Sequence, residues 1–274
     1  MSPYQCPLCA APLQPGPQVW ACAQGHHFDV ARQGHVHVLP VQFKHSRNPG
    51  DTEAAVQARR RFLQAGHYAP LRQALTAWVA GQPQAQTVLD VGCGEGYYTS
   101  ALTGSDRQVI GVDIAKPAIL QAARQYRGLA GVQWLVASGS HLPVQDQRLD
   151  AALSVFAPVP TAELLRTLKP EAELLVVRPA AGHLYELRAQ LFAEVVEHDP
   201  QQALDALLQA FEPIGQHTLE VPMQLGQSDL NDLLTMTPYA WKASPARQQA
   251  VRALSVLHTT ARFFCGRYRQ RTEG

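Results

Sequence analysis

Val88-Leu89-Asp90-Val91-Gly92-Cys93-Gly94-Glu95-Gly96-Tyr97-Tyr98-Thr99 decides how the rest of this 274-residue chain is read. An apolar run of strand length, carrying Asp90, breaks into glycines at alternate positions, and the pattern after them is helical. Glycine lets the backbone turn sharply and lets a ligand approach where a Cβ would collide. The next apolar run ends in Asp113, a carboxylate placed to accept hydrogen bonds from both hydroxyls of a ribose. The spacing is Gly-x-Gly-x-Gly, not the Gly-x-Gly-x-x-Gly of dinucleotide folds.

Outward from this motif, strands and helices alternate. Strands are expected at 87–91, 109–113, 133–137, 149–155 and 173–178, with helices at 116–126 and 161–168 between them. Such alternation predicts an α/β fold, a mostly parallel Rossmann-like sheet covered by helices on both faces. Further on, 217–225 and 259–268 read as an antiparallel edge pair. Toward the N-terminus, Asp51 or Thr52 caps a helix that Gly66 stops, and a second helix over 70–80 ends at Gly81.

The first forty residues are turn-rich and hold three of the five cysteines, Cys6, Cys9 and Cys22, followed by His26 and His27. Two thiols two residues apart, then a third thiol and an imidazole one short loop away, enclose a tetrahedral Zn²⁺. Four protein ligands leave no open position, so such a site is structural rather than catalytic. Spacing alone leaves His26 and His27 as alternatives for the fourth ligand. Short strands at 19–22 and 34–39 would flank the metal, which would supply the stability so small a segment lacks. The chain therefore divides into a zinc-binding domain (1–40), a helical linker region (41–84) and a catalytic domain (85–274).

Hydrophobic residues make up 46% of the chain and charged residues 16%, enough apolar material for a large core. The net charge is only +1, but its distribution is uneven. Residues 1–80 carry seven Lys/Arg against three acids, which points to an anionic partner near the metal module. Lys44, Arg47, Arg59 and Arg60 form the strip expected to meet nucleic-acid phosphates, although consecutive arginines on a helix point about 100° apart. No apolar run is long enough to span a bilayer, and no signal peptide follows Met1. Clustered thiols fit a reducing, cytoplasmic setting.

The glycine motif with Asp90 before it and Asp113 after it resembles class I S-adenosylmethionine (SAM) methyltransferases. In that superfamily the position of Ser138 commonly carries a polar residue near the adenine amino group. A denser resemblance is to the RlmA family of bacterial 23S rRNA guanine-N1 methyltransferases. It rests on Cys6-Pro7-Leu8-Cys9, Gly25-His26-His27-Phe28-Asp29, Pro49-Gly50-Asp51 and Ala58-Arg59-Arg60-Arg61-Phe62-Leu63. It continues in Gly66-His67-Tyr68-Ala69-Pro70-Leu71, His183-Leu184 and Met236-Thr237-Pro238-Tyr239-Ala240-Trp241.

That resemblance implies zinc ligands at Cys6, Cys9, Cys22 and His26. It implies a SAM pocket to which Tyr68, Gly94, Glu95, Gly96, Tyr97, Asp113 and His183 contribute, beside Asp90, Gly92 and Ser138 of the superfamily pattern. It also implies a homodimer that methylates a guanine in a 23S rRNA hairpin lining the peptide exit tunnel. The family has two branches that choose different guanines, and the reading leans toward the Gram-negative one. Phe156-Ala157-Pro158 after the fourth strand replaces the Asn/Asp-Pro-Pro-Tyr of amino-group methyltransferases, which fits a ring-nitrogen target. Glu171-Ala172-Glu173 stands where many relatives of the superfamily have a glycine pair, so the turn there is expected to differ. Phe156, Tyr239 and Trp241 could stack on the acceptor base. No general base is assigned; His183 and His67 are the candidates. A SAM-dependent small-molecule methyltransferase and a catalytically silent SAM-fold RNA-binding protein are the competing classes.

Overall fold

The computed structural model describes residues 2–43, 49–104, 106–202 and 204–271. Lys44 and Arg47 lie outside these residues. The chain opens with four short strands, β1 (Leu13–Gln14), β2 (Val19–Cys22), β3 (His27–Asp29) and β4 (Val36–His37). The first three form a small antiparallel sheet in the order β1-β2-β3. This sheet has too little area to bury its own apolar side chains. Tyr4 and Trp20 pack against each other (ring centroids 4.3 Å apart) and join Val144, Leu142 and Leu149 in one buried cluster.

Two helices follow, α1 (Glu53–Gln64) and α2 (Ala69–Ala80). The Thr52 hydroxyl accepts from the amide of Ala55 and caps α1. Pro70 sits in the first turn of α2, where its missing N–H is no loss. Both helices are amphipathic. Phe62, Leu63, Leu71 and Leu75 are buried in the main core, so residues 41–84 include elements of the catalytic body rather than a free-standing linker.

The body then runs β5 (Thr87–Val91), β6 (Gln108–Asp113), α3 (Lys116–Gln125), β7 (Val132–Val136), β8 (Leu149–Val155), α4 (Thr161–Thr167) and β9 (Leu168–Pro179). After these come α5 (Tyr185–Leu191), α6 (Asp205–Ala210), β10 (Phe211–Gly226), α7 (Gln227–Met236), α8 (Tyr239–Lys242), α9 (Pro245–Arg252) and β11 (Val256–Gln270). Eight strands make one sheet in the order β10-β11-β9-β8-β5-β6-β7-β4. β4 to β9 pair parallel, and β11 and β10 extend the sheet antiparallel, as the pattern of 217–225 and 259–268 predicts.

Three features depart from the sequence reading, the first being that only a 3₁₀ turn at Thr99–Ala101 follows the glycine loop where a helix is expected. The segment 34–39 supplies only the two residues of β4, and these join the large sheet beside β7 rather than the ribbon. The strand expected at 173–178 begins at Leu168, because Glu171-Ala172-Glu173 continues extended, with a register shift opposite Leu149 and Ala151, instead of turning. What positions the site is the order β8-β5-β6. The chain runs outward from β5 to β7 and then returns to the other side of β5, so the crevice of a doubly wound fold opens at the carboxyl ends of β5 and β8.

Candidate active site and metal centre

The metal module comes first along the chain. The ligand atoms of Cys6, Cys9, Cys22 and His26 all lie within 4.8 Å of one another. Cys9 Sγ is 3.7 Å from Cys22 Sγ, and His26 Nδ1 is 3.6 Å from Cys6 Sγ and 3.5 Å from Cys22 Sγ. Zn²⁺ bonded to sulfur and imidazole nitrogen requires tetrahedral edges of about 3.5–3.8 Å, so these four groups fit the ion as they stand. His27 is exposed on β3, and the choice that spacing left open falls on His26.

At the carboxyl end of β5 the glycine loop folds as its composition requires. Gly92 has φ +73°, and a Cβ on it would lie 2.4 Å from the Ala157 Cβ, so the loops after β5 and β8 touch only because this residue is glycine. Asp113 is held by two backbone donors: the Gly94 amide (2.9 Å) and the Ala115 amide (2.7 Å) bind its two oxygens. Burial pushes its carboxyl up, against these bonds. Ser138, at the end of β7, accepts from the Ser140 amide. Gly92, Gly94, Glu95, Asp113 and Ser138 all line one cavity of about 530 Å³.

Two carboxylates in this region are poorly satisfied. Asp90 Oδ2 accepts from the Thr99 hydroxyl at 2.6 Å, but Oδ1 is buried without a partner, as is Glu95 Oε2. Burial raises both groups to about 7; the Thr99 bond opposes this for Asp90, as the Arg59 charge does for Glu95. Of the two only Glu95 lines the cavity, and a buried carboxylate oxygen with no partner among the described residues is costly there unless a cation completes it. The sulfonium and ammonium of SAM are such cations, so these residues fit that group.

The remaining expected cofactor residues lie elsewhere. Gly96 packs beneath Trp134. Tyr97 turns away from the cavity, its ring under the Arg72 guanidinium, while the neighbouring Tyr98 lines the cavity instead. Tyr68 and His183 line a second cavity of about 920 Å³ that adjoins the first. His183 is buried; its Nδ1 lies 2.8 Å from the Arg262 carbonyl oxygen and 3.1 Å from the Arg262 amide, and burial lowers its imidazole to about 4. His67 is 3.2 Å from Asp229 and belongs to neither cavity.

The second cavity also holds Phe156, Tyr239 and Trp241, the three aromatics expected at the acceptor base. Phe156 has φ +55°, a strained conformation for a non-glycine residue, and the residue is 42% exposed. His198, which the sequence reading passed over, places Nε2 3.0 Å from the Tyr239 hydroxyl.

The three consecutive arginines of α1 part company. Arg59 lies in the cleft, 2.6 Å from Asp51 and with its side chain three-quarters buried (25% exposed), rather than on an outer RNA-facing surface. Arg60 donates to Gln125 at 2.9 Å, and Arg61 donates to the Asp232 carboxylate. Asp51, a helix-cap alternative and part of the Pro49-Gly50-Asp51 stretch, lines both cavities.

Comparison with known proteins agrees with this geometry. The family model for the RlmA N-terminal zinc ribbon matches residues 4–47, and one for a methyltransferase domain matches residues 88–175. The chain is 36% identical, over 97% of its own length and 96% of the other, to a Micromonospora griseorubida protein named for 23S rRNA guanine-N(1) methylation. The chain belongs to the RlmA family. A second RlmA-like relative, the 23S rRNA (guanine(748)-N(1))-methyltransferase of Streptomyces fradiae, is 35% identical over 88% of this chain and 86% of that one. A solved structure from Bacillus halodurans C-125, described as a methyltransferase, superposes with a TM-score of 0.51 at 17% identity, covering 73% of this chain and 98% of that one. At that identity it speaks for the fold alone. RlmA membership gives the chain a structural zinc, for which the Cys₃His cluster provides the ligands, and SAM as its cofactor. No helix among the described residues is long and apolar enough to cross a membrane.

Proposed function

We propose that this protein transfers a methyl group from SAM to N1 of a guanine in 23S rRNA, within a hairpin. The observation that carries the reading is the pair of adjoining cavities. One is lined by the glycine loop, Asp113 and the carboxylate of Glu95; the other is aromatic and wide enough for a base. They are set in a chain whose full-length relatives are named for that reaction.

SAM supplies an electrophilic methyl carbon on a good leaving group, so positioning carries much of the rate. Asp113, locked by the Gly94 and Ala115 amides, presents a fixed acceptor to a ribose. Glu95 offsets positive charge in the donor cavity, with Asp90 buried behind it. Phe156, Tyr68 and Tyr239 wall the second cavity and exclude water from the base. A guanine in a structured hairpin must leave its stack to enter, and aromatic rings there repay lost stacking.

Lys44, Arg47 and Arg60 are the groups we assign to rRNA phosphates, with the zinc ribbon as recognition module. We also propose a homodimer working in the cytoplasm. Incubating the protein with labelled SAM and 23S rRNA from a strain lacking the modification tests the reading. N1-methylguanosine mapped by mass spectrometry to one nucleotide is expected. Label in a small metabolite, or nowhere, would replace it with one of the two competing classes. Light scattering of the purified protein decides the oligomeric state.

A further inference from the structure

The wall common to the two cavities consists, among the described residues, of Gly50, Asp51, Arg59 and the run from Phe156 to Val159. Donor and acceptor must meet across this wall. Only two of its side chains are ionisable, Asp51 and Arg59. Arg59 Nη2 binds Asp51 Oδ2 at 2.6 Å, while Asp51 remains 46% exposed on its side chain. The backbone is built to hold the carboxylate there. Gly50 has φ +83°, and a Cβ on it would lie 2.7 Å from the Ala115 Cβ, so the segment before α1 is pressed against the end of the Asp113 loop.

Guanine presents to such a pair an edge with a donor at N1 and an acceptor at O6. Removing the N1 proton, which methylation at N1 requires, leaves negative charge shared between N1 and O6. We propose that Asp51 accepts the guanine N1 proton and that Arg59 stabilises the charge left on O6. This rests on the guanine-N1 reading above.

The N1–H bond breaks, the proton moves to Asp51 Oδ1, and the electron pair stays on the ring. N1 then forms the bond to the methyl carbon as the carbon–sulfur bond breaks and its pair remains on sulfur. Asp51 returns the proton to water through its exposed side.

The histidines are worse placed. His183 is tied to the Arg262 backbone, and His198 is engaged by Tyr239. Both line the acceptor cavity alone. The charged groups around Asp51 are Arg59 on α1, Glu95 on the glycine loop and Asp113 at the end of β6, with Glu53, Lys116 and Arg124 in the adjoining hollow. Arg59 thus faces three carboxylates, which hold it charged and in place.

Asp51→Asn keeps the shape and removes the ability to take a proton. The substrate is 23S rRNA, or large subunits, from the strain lacking the modification, whichever the wild type methylates. SAM affinity by calorimetry and rRNA affinity by filter binding should stay within threefold of wild type. The single-turnover rate near neutral pH should fall about 100-fold or more, the range of a lost general base. It should then climb about tenfold per pH unit as the guanine ionises unaided, where the wild type is nearly level. Arg59→Gln should also lose about 100-fold in rate with SAM affinity kept. A rate within fivefold of wild type, a loss without the pH slope, or a SAM affinity reduced more than tenfold in either variant overturns the proposal; the last would give the pair to the donor. Should Asp51→Asn not fold, Asp51→Glu decides: it must keep the level pH profile at reduced rate, and a sloping profile counts against the idea. If the wild type methylates neither substrate, the guanine-N1 reading itself fails, and that outcome is distinct from all of these.

Discussion

Replacing Glu95 with glutamine tests whether buried carboxylates draw SAM into its cavity. Glu95 is 2% exposed, its Oε2 has no partner among the described residues, and burial holds its carboxyl at about 7, far above a free glutamate. A cation bound beside Glu95 favours the ionised form, so binding releases a proton below about pH 7 and weakens as the pH falls. A group with that pKa is about three-quarters ionised at pH 7.5 and about one-thirtieth ionised at pH 5.5, so with a neutral form that binds about tenfold more weakly the affinity should fall about sixfold, or about 1 kcal/mol. Asp90, also raised to about 7, adds to the slope. Glutamine cannot titrate. Glu95→Gln should bind SAM about tenfold more weakly near pH 7.5, by the loss of a buried charge interaction, and approach the wild type near pH 5.5. Calorimetry across that range, in buffers of different ionisation enthalpy, reads both the affinity and the proton release. A wild-type dissociation constant that moves less than threefold, or equal pH slopes in the two proteins, refutes the reasoning.

Cys9→Ser removes one ligand of the metal cluster, so zinc stoichiometry by atomic absorption should collapse. With the ribbon lost, rRNA methylation should disappear while SAM affinity stays within about threefold. Gly96→Ala would set a Cβ 2.4 Å from the Trp134 ring at a φ of +81°, and denaturant melts should show about 2–4 kcal/mol lost; a change under about 0.5 kcal/mol would mean the loop yields freely. Cys93 and Cys265 are buried, with thiols raised by burial, Cys265 to about 11. After chelation, a thiol reagent should label Cys6, Cys9 and Cys22 first and leave these two until unfolding; early labelling of Cys93 by mass mapping would count against its burial.

β5 and β8 are legible in the sequence to the residue because each is an apolar β-rich run between turn signals. The metal cluster is legible too, since its ligands lie close in sequence and their residue types are specific. Arg59, Arg60 and Arg61 show where such reading stops. Rotation of about 100° per residue sends them to three surroundings, and which direction holds solvent depends on elements far away, the loop of Asp51, Gln125 of α3 and Asp232 of α7. A local charge run looks like one basic face and is not. Tyr97 and Tyr98 repeat the lesson across a single peptide bond: the resemblance marks the loop, but the turn decides which ring meets the cavity. Asp51 was in view all along in Pro49-Gly50-Asp51, and its role as a helix-capping alternative was the one its neighbours could suggest.

The pairing of β4 with β7 has a consequence for how the molecule is made. Val36 meets Leu135, so the N-terminal strand waits for a partner that leaves the ribosome about a hundred residues later, a delay of about 5–20 s at ordinary elongation rates. Through that interval Tyr4, Trp20 and Val36 have nothing of the body to pack on, so the nascent ribbon has only its own short ladders, the Tyr4–Trp20 contact and its metal cluster to order it.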